Sequence, residues 1–254
     1  MEMSAVNIAG YLSRIGVDAT VGTDMATLWL LHARHLRTIP FENLSIHASE
    51  PIVLEEGALF DKIVIRRRGG FCYELNGLLA VLLGALGFDV TMISAGVMGG
   101  NEEFGPPFDH MALVVQLAER WLVDVGFGSS FRLPLRMDVR AVQSDGYSEY
   151  RIVEDNEGLV LERHDDGGSF IPQYRFTPAS HELSEYVEMC NFHQTSPESF
   201  FTRGRICSRT TEEGRITLHG LQFIQTTLDS RTIIDLNEDS EFDALLVEHF
   251  GIVI

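Results

Sequence analysis

The sequence predicts an α+β fold, with helices gathered at the start, antiparallel strands in the middle and a small mixed unit at the end. Apolar residues recur at helical spacing through the first third and at alternate positions after Gly87. Helices and strands also fall into separate blocks without regular βαβ alternation, which argues against a doubly wound nucleotide fold. The 254 residues are 45% hydrophobic and 22% charged, with 23 Gly, 8 Pro and no internal repeat. That composition fits a globular protein of one or two domains and rules out a disordered or fibrous chain.

Within residues 7–44, Ile8, Tyr11, Leu12 and Ile15, then Leu28, Leu31, His32, His35 and Leu36, keep helical spacing and stop at Pro40. A third helix begins at 73–86, carried by Leu75, Leu78, Leu79, Leu82, Leu83 and Leu86, entered through Gly69-Gly70 and closed by Gly87. The first third is a small helical bundle. Residues 90–97 and 111–117 then read as strands, and 121–127 follows the short connection Ala118-Glu119-Arg120, giving a hairpin. A second hairpin is signalled by 151–153 and 159–162 around Asp155-Asn156-Glu157-Gly158, so the middle third is an antiparallel sheet or barrel. Beyond Ser184 come a helical patch to Phe192, strands at 215–218, 221–227 and 232–236, and an acidic helix over 239–250.

Charge removes several functions. Against 37 Asp and Glu stand 19 Lys and Arg, a net charge of -18 that repels nucleic acid and anionic membranes. Lys62 is the only lysine and is followed by Ile63, so no Walker-type phosphate loop exists. The start of the chain lacks the basic, apolar and small-residue regions of a secretory signal, and the longest uncharged apolar stretch, 77–88, is too short to cross a bilayer. A cytoplasmic protein is expected. Cys72, Cys190 and Cys207 are odd in number and widely spaced, writing neither a disulfide framework nor a zinc site.

The segment Arg66-Arg67-Arg68-Gly69-Gly70-Phe71-Cys72-Tyr73-Glu74-Leu75-Asn76 places a cysteine where a glycine turn enters an apolar helix. Free amides and the macrodipole at a helix N-terminus favour a thiolate, and the arginines are expected to add to that effect. The amides of Cys72 and Tyr73 are candidates to face an oxyanion. A nucleophilic thiol needs a base and a group that orients the base. His110 opens one strand of the first hairpin and Asp124 lies in the other; depending on the turn, the residue opposite His110 is Asp124 or Gly126. Each residue has a plainer reading: a cysteine filling the core, a solvated histidine, a structural acid. An acid inside Leu122-Val123-Asp124-Val125 nonetheless needs a partner, and the three together favour catalysis.

These residues resemble the arylamine N-acetyltransferases. The resemblance rests on Arg68-Gly69-Gly70-Phe71-Cys72-Tyr73-Glu74-Leu75-Asn76, on Ile39-Pro40-Phe41-Glu42-Asn43-Leu44, on His110-Met111-Ala112-Leu113-Val114 and on Leu122-Val123-Asp124-Val125-Gly126-Phe127-Gly128. It continues more loosely through 196–201 and Arg215-Ile216-Thr217-Leu218. It implies an acetyl-CoA-dependent enzyme working by double displacement on aromatic amines or hydrazines, with Cys72 as nucleophile, His110 as base and Asp124 completing a triad. It further implies Phe41 and Phe127 in the acceptor pocket, Gly126 and Gly128 near the coenzyme A thiol end, and no metal. The implied architecture is a helical bundle (1–87), a β-barrel (88–186) and an α/β lid (187–254) on a papain-like core. No nucleic-acid or membrane partner is expected, and no oligomer is indicated. The rival readings are a transglutaminase-like or amide-synthase acyl transferase using the same three residues, and a binding domain that kept the fold.

Other features take structural readings. His32 and His35 share a helix face but lack acidic or thiol co-ligands. The run Arg66-Arg67-Arg68 suits either coenzyme A phosphates or carboxylates of the bundle. The acids around Glu238 and Asp239 sit at a helix N-terminus, and Cys190 and Cys207 are structural.

Overall fold

The computed structural model describes residues 4–18, 20–100, 102–129, 131–164 and 168–254. Helix α1 (Ala5–Arg14) starts where Ser4 Oγ accepts the Asn7 N–H, and α2 (Met25–Thr38) where Asp24 Oδ1 accepts the Thr27 N–H. Both caps satisfy donors that have no intrahelical partner. Pro40 ends the helical run as expected, but the chain then turns extended: Phe41–Glu42 forms a two-residue strand, β1. Short helices α3 (Leu44–His47) and α4 (Glu56–Phe60) and a π-helical turn over Asp61–Ile65 lead to α5 (Cys72–Ala85). At one turn or so each, they are too brief to leave a readable period.

The central sheet contains, among the described residues, β2 (Asp89–Val97), β3 (His110–Gln116), β4 (Arg120–Val123), β5 (Leu135–Arg136), β6 (Gln143–Ser144), β7 (Glu149–Glu154), β8 (Leu159–His164) and β9 (Phe170–Phe176). Their order is β5-β4-β3-β2-β9-β8-β7-β6, antiparallel throughout. The two edges nearly meet, because the Gln143 side chain accepts from Arg136 N at 2.8 Å and donates to Arg136 O at 2.9 Å. The sheet is therefore an almost closed barrel. Strand β3 is buried on both faces: Leu113 and Val115 join Leu28, Leu31, Leu78 and Leu82 in the helical core, while Ala112 and Val114 join Ile93, Tyr150 and Tyr174 inside the barrel. Its apolar residues are consequently continuous where a one-sided strand would alternate.

After a 3₁₀ turn (Leu183–Tyr186) come α6 (Val187–Thr195), a second 3₁₀ turn (Phe200–Thr202), β10 (Ile206–Thr210), β11 (Gly214–His219), β12 (Gln222–Thr227), β13 (Arg231–Asp235) and α7 (Asp239–Phe250). The second sheet runs β1-β10-β11-β12-β13. Its first strand comes from the N-terminal third, with Phe41 opposite Ser208 and Glu42 opposite Cys207. Phe242 and Leu246 of α7 pack with Leu218 and Phe223 against it. None of the described helices is long and apolar enough to cross a membrane.

Candidate active site

The entry to α5 is built by a close approach of two backbones. Glu42 N donates to Gly70 O at 2.8 Å, and a Cβ at Gly69 would stand 2.0 Å from the Pro40 carbonyl oxygen, so no other residue fits there. Glu74 accepts the Phe71 N–H at 3.1 Å and takes Lys62 Nζ at 2.6 Å, both groups being buried. Cys72 thus occupies the first position of the helix, ahead of any intrahelical acceptor for its own N–H or that of Tyr73.

His110 and Asp124 meet next to it. Extending the β3–β4 register, in which Leu113 faces Val123, sets Gly126 opposite His110 and Asp124 opposite Ala112. The imidazole and carboxylate are diagonal neighbours on one face, and His110 Nε2 lies 2.8 Å from Asp124 Oδ2. Burial by itself would raise the Asp124 carboxyl. The His110 ring, the Asn76 amide and the Gly126 N–H outweigh it and hold the group below its ordinary range. An ionised carboxylate only accepts, so His110 Nε2 carries a proton and Nδ1 is the nitrogen left to act as base.

Asn76, quoted in the motif above but given no role, turns out to be the hub of this arrangement. One turn after Cys72 on α5, its Nδ2 donates to Asp124 Oδ1 at 2.9 Å and Met111 O at 2.6 Å, while its Oδ1 accepts the Val125 N–H at 2.9 Å. A fully buried amide among leucines was a readable signal, since it requires partners. Tyr174 left no such signal: β9 brings its ring to 5.0 Å from His110 only through the sheet order. His32 lies 3.1 Å from the Asp124 carbonyl, and His35 Nδ1 lies 2.7 Å from the Tyr11 hydroxyl; burial lowers both histidines, which suits structural roles. Among the described residues no group of three or more His, Cys, Asp or Glu is placed to hold a metal ion.

Cys72, His110, Phe41, Phe127, Gly126 and Gly128 all line one cavity of about 750 Å³. The Phe127 ring is 5.1 Å from His110 and 5.1 Å from Tyr174. A Cβ at Gly126 would lie 2.5 Å from Cys72 Cα, so the bare backbone is what lets this loop touch the cysteine. One expectation is corrected. The arginine run does not assist the thiol: Arg66 pairs with Glu50 and Asp61, and Arg68 with Glu42. Burial pushes the Cys72 thiol well up, partly offset by the Met111 backbone and reinforced by the charge of Asp124. The His110 ring, which lines the same cavity, is the candidate partner for a thiolate here.

Iodoacetamide should accordingly modify Cys72 well before the other two cysteines. All three thiols are buried and raised, but of the three only Cys72 lines the cavity, beside His110. Equal labelling of all three in the folded protein would refute an activated thiol at Cys72.

A thiol at a helix N-terminus beside an imidazole–carboxylate pair, opening on an apolar cavity, is the equipment of a cysteine-dependent acyl-transfer enzyme. The family model described as N-acetyltransferase matches residues 24–254. An arylamine N-acetyltransferase of Escherichia coli is 32% identical over 252 residues, covering 95% of this chain and 87% of that protein. One from Mycolicibacterium smegmatis is 33% identical over 255 residues, covering 98% and 92%. The solved Mycobacterium marinum arylamine N-acetyltransferase in complex with CoA superposes with a TM-score of 0.91 at 29% identity, covering 96% of this chain and 92% of that one. The chain belongs to the arylamine N-acetyltransferase family. It is an acyltransferase of that class, and the bundle, barrel and α/β lid expected from the resemblance are its fold.

Proposed function

We propose that the protein moves the acetyl group of acetyl-CoA to aromatic amines or arylhydrazines through a thioester on Cys72. The observation that carries this reading is the joint presence in one cavity of Cys72 and His110, with His110 Nε2 held 2.8 Å from Asp124 Oδ2 behind it. His110 Nδ1 takes the thiol proton; the thiolate adds to the acetyl carbonyl, and the oxyanion turns toward the N–H groups of Cys72 and Tyr73. The C–S bond to coenzyme A then breaks and its sulfur recovers the proton from His110. In the second half the amine attacks the Cys72 thioester, gives its proton to His110, and releases the N-acetyl product and the thiol.

Phe41 and Phe127 hold the acceptor ring, and Gly126 and Gly128 leave room for the thiol end of coenzyme A. The M. marinum relative solved in complex with CoA supports the donor. Three buried free cysteines support a reducing, cytoplasmic setting. The proposed division stays at 1–87, 88–186 and 187–254, although β1 of the first part joins the sheet of the last.

Incubation with acetyl-CoA and no acceptor should add one acetyl group, mapped to Cys72. Competing amines are few, because Lys62 is the only lysine and its ammonium is buried against Glu74. Acetylation found only at Lys62 or the N-terminus, or steady-state kinetics demanding a ternary complex, would overturn the mechanism.

A further inference from the structure

The second sheet has one blunted edge and one open edge. At β1, Gly70 forms a parallel bridge with Phe41 and accepts the Glu42 N–H, which occupies the outer side of that strand. The barrel edges answer each other through Gln143 and Arg136. At the other end of the second sheet, β13 (Arg231-Thr232-Ile233-Ile234-Asp235) pairs with β12 alone among the described strands, and all five of its residues are exposed. Ile233 is 47% exposed and Ile234 48%. The strand has no proline, no lysine and no bulge, the devices that usually keep an edge from pairing.

The β12–β13 hairpin fixes which backbone groups face outward. Thr227 N donates to Ser230 O and Leu236 N to Leu221 O, both at 2.8 Å, so Ser230, Thr232, Ile234 and Leu236 hold the hydrogen-bonded positions toward β12. The N–H and C=O groups of Arg231, Ile233 and Asp235 therefore point to the open side.

A second copy of this strand fits that side in one register. Centred on Ile233, the antiparallel pair sets every outward residue opposite an outward residue: Ile233 meets Ile233, and Arg231 meets Asp235 at both ends. A shift of two residues sets Ile233 opposite a charge and leaves outward groups unpaired. A shift of four puts Arg231 opposite Arg231, or Asp235 opposite Asp235, and an odd shift turns outward groups against inward ones. Both charges are available. Among the described residues Arg231 reaches no carboxylate, and Asp235 takes one neutral donor, Gln222 Nε2 at 2.8 Å, and no cation.

We propose that two copies of the chain associate through β13, antiparallel about a two-fold axis at Ile233, so that their second sheets become one continuous sheet. The contact has five strand residues a side, against about 20–30 in a standard interface, and the net charge of -18 on each copy opposes it. The dimer is therefore a weak one, with a Kd of about 10 µM to 1 mM. Strands β10 and β11, which line the cavity, lie beyond β12, so acetyl-enzyme formation does not depend on the pairing.

Sedimentation velocity at about 0.15 M salt, over about 10 µM to 1 mM protein, tests this. The wild-type mass should climb with concentration toward twice that of the monomer. Ile233→Pro removes only an outward N–H, so the hairpin survives, as circular dichroism should show, but association is lost. Arg231→Asp and Asp235→Arg each place like charges opposite one another and should weaken self-association about 10-fold or more. An equimolar mixture of the two restores both opposite-charge pairs and should associate at least as well as the wild type. A wild type that stays monomeric throughout, an Ile233→Pro variant that associates normally, or a mixture no better than its two components would overturn the proposal. Should the substituted chains fail to fold, the concentration dependence of the wild type decides.

Discussion

Asp124→Asn is expected to slow acetylation of Cys72 by about two to four orders of magnitude without unfolding the protein. The carboxylate accepts from His110 Nε2, from the Asn76 amide and from the Gly126 N–H. An asparagine of nearly the same size keeps an oxygen for Asn76 and Gly126, but turns its NH₂ toward His110. A donor there stabilises the ring with its lone pair on Nε2 and its proton on Nδ1, the wrong nitrogen for a base. The imidazolium also loses the charge that supports it. In serine-protease triads the matching exchange costs about 10⁴ in turnover; a thiol is more acidic than a hydroxyl, so the lower half of the range is open to it. Stopped-flow acetylation with circular dichroism checks the expectation. A variant that folds and acetylates at nearly the wild-type rate would make Asp124 a purely structural acceptor.

Lys62→Met should remove about 3–5 kcal/mol of stability, the usual result of leaving one member of a buried ion pair alone. Lys62 and Glu74 are both buried, and Glu74 also takes the Phe71 N–H at the start of the nucleophile helix. Burial, opposed chiefly by Lys62 and aided by the charge of Glu42, holds the Glu74 carboxyl above its ordinary range. Without Lys62 it rises further. The sign follows: a raised carboxyl pKa contributes stability that is full below the unfolded value and is lost as pH rises through the folded one. Urea denaturation of Lys62→Met should therefore show its deficit relative to wild type growing from acid toward neutral pH. A variant as stable as wild type at neutral pH, or one whose deficit shrinks as pH rises, contradicts this account.

The setting of Cys72 was legible because its signals are local. A diglycine, a cysteine and a leucine-rich helix follow one another within twenty residues, so turn, cap and apolar face can be read along the chain. The hairpin was nearly as legible, since Ala118-Glu119-Arg120 leaves two registers and the observed one puts Asp124 diagonal to His110. The short helices α3 and α4 and strand β10 escaped notice, having too few residues for a period to appear.

By itself the sequence determined the fold class, the order of bundle, barrel and mixed unit, and which residues are candidates to carry the chemistry. Each of these follows from side-chain period and turn chemistry, which act over a few neighbours. Only the tertiary structure decided what those residues meet. Asn76 reaches Asp124 across 48 positions, Phe41 pairs with Ser208 across the whole fold, and Arg215 holds the Gly128 carbonyl. It also decided that Arg66 and Arg68 answer Glu50 and Glu42 instead of the thiol. Long-range partners are selected by the packing of complete sheets and helices, and no local pattern in the chain encodes which distant carboxylate a given arginine will find.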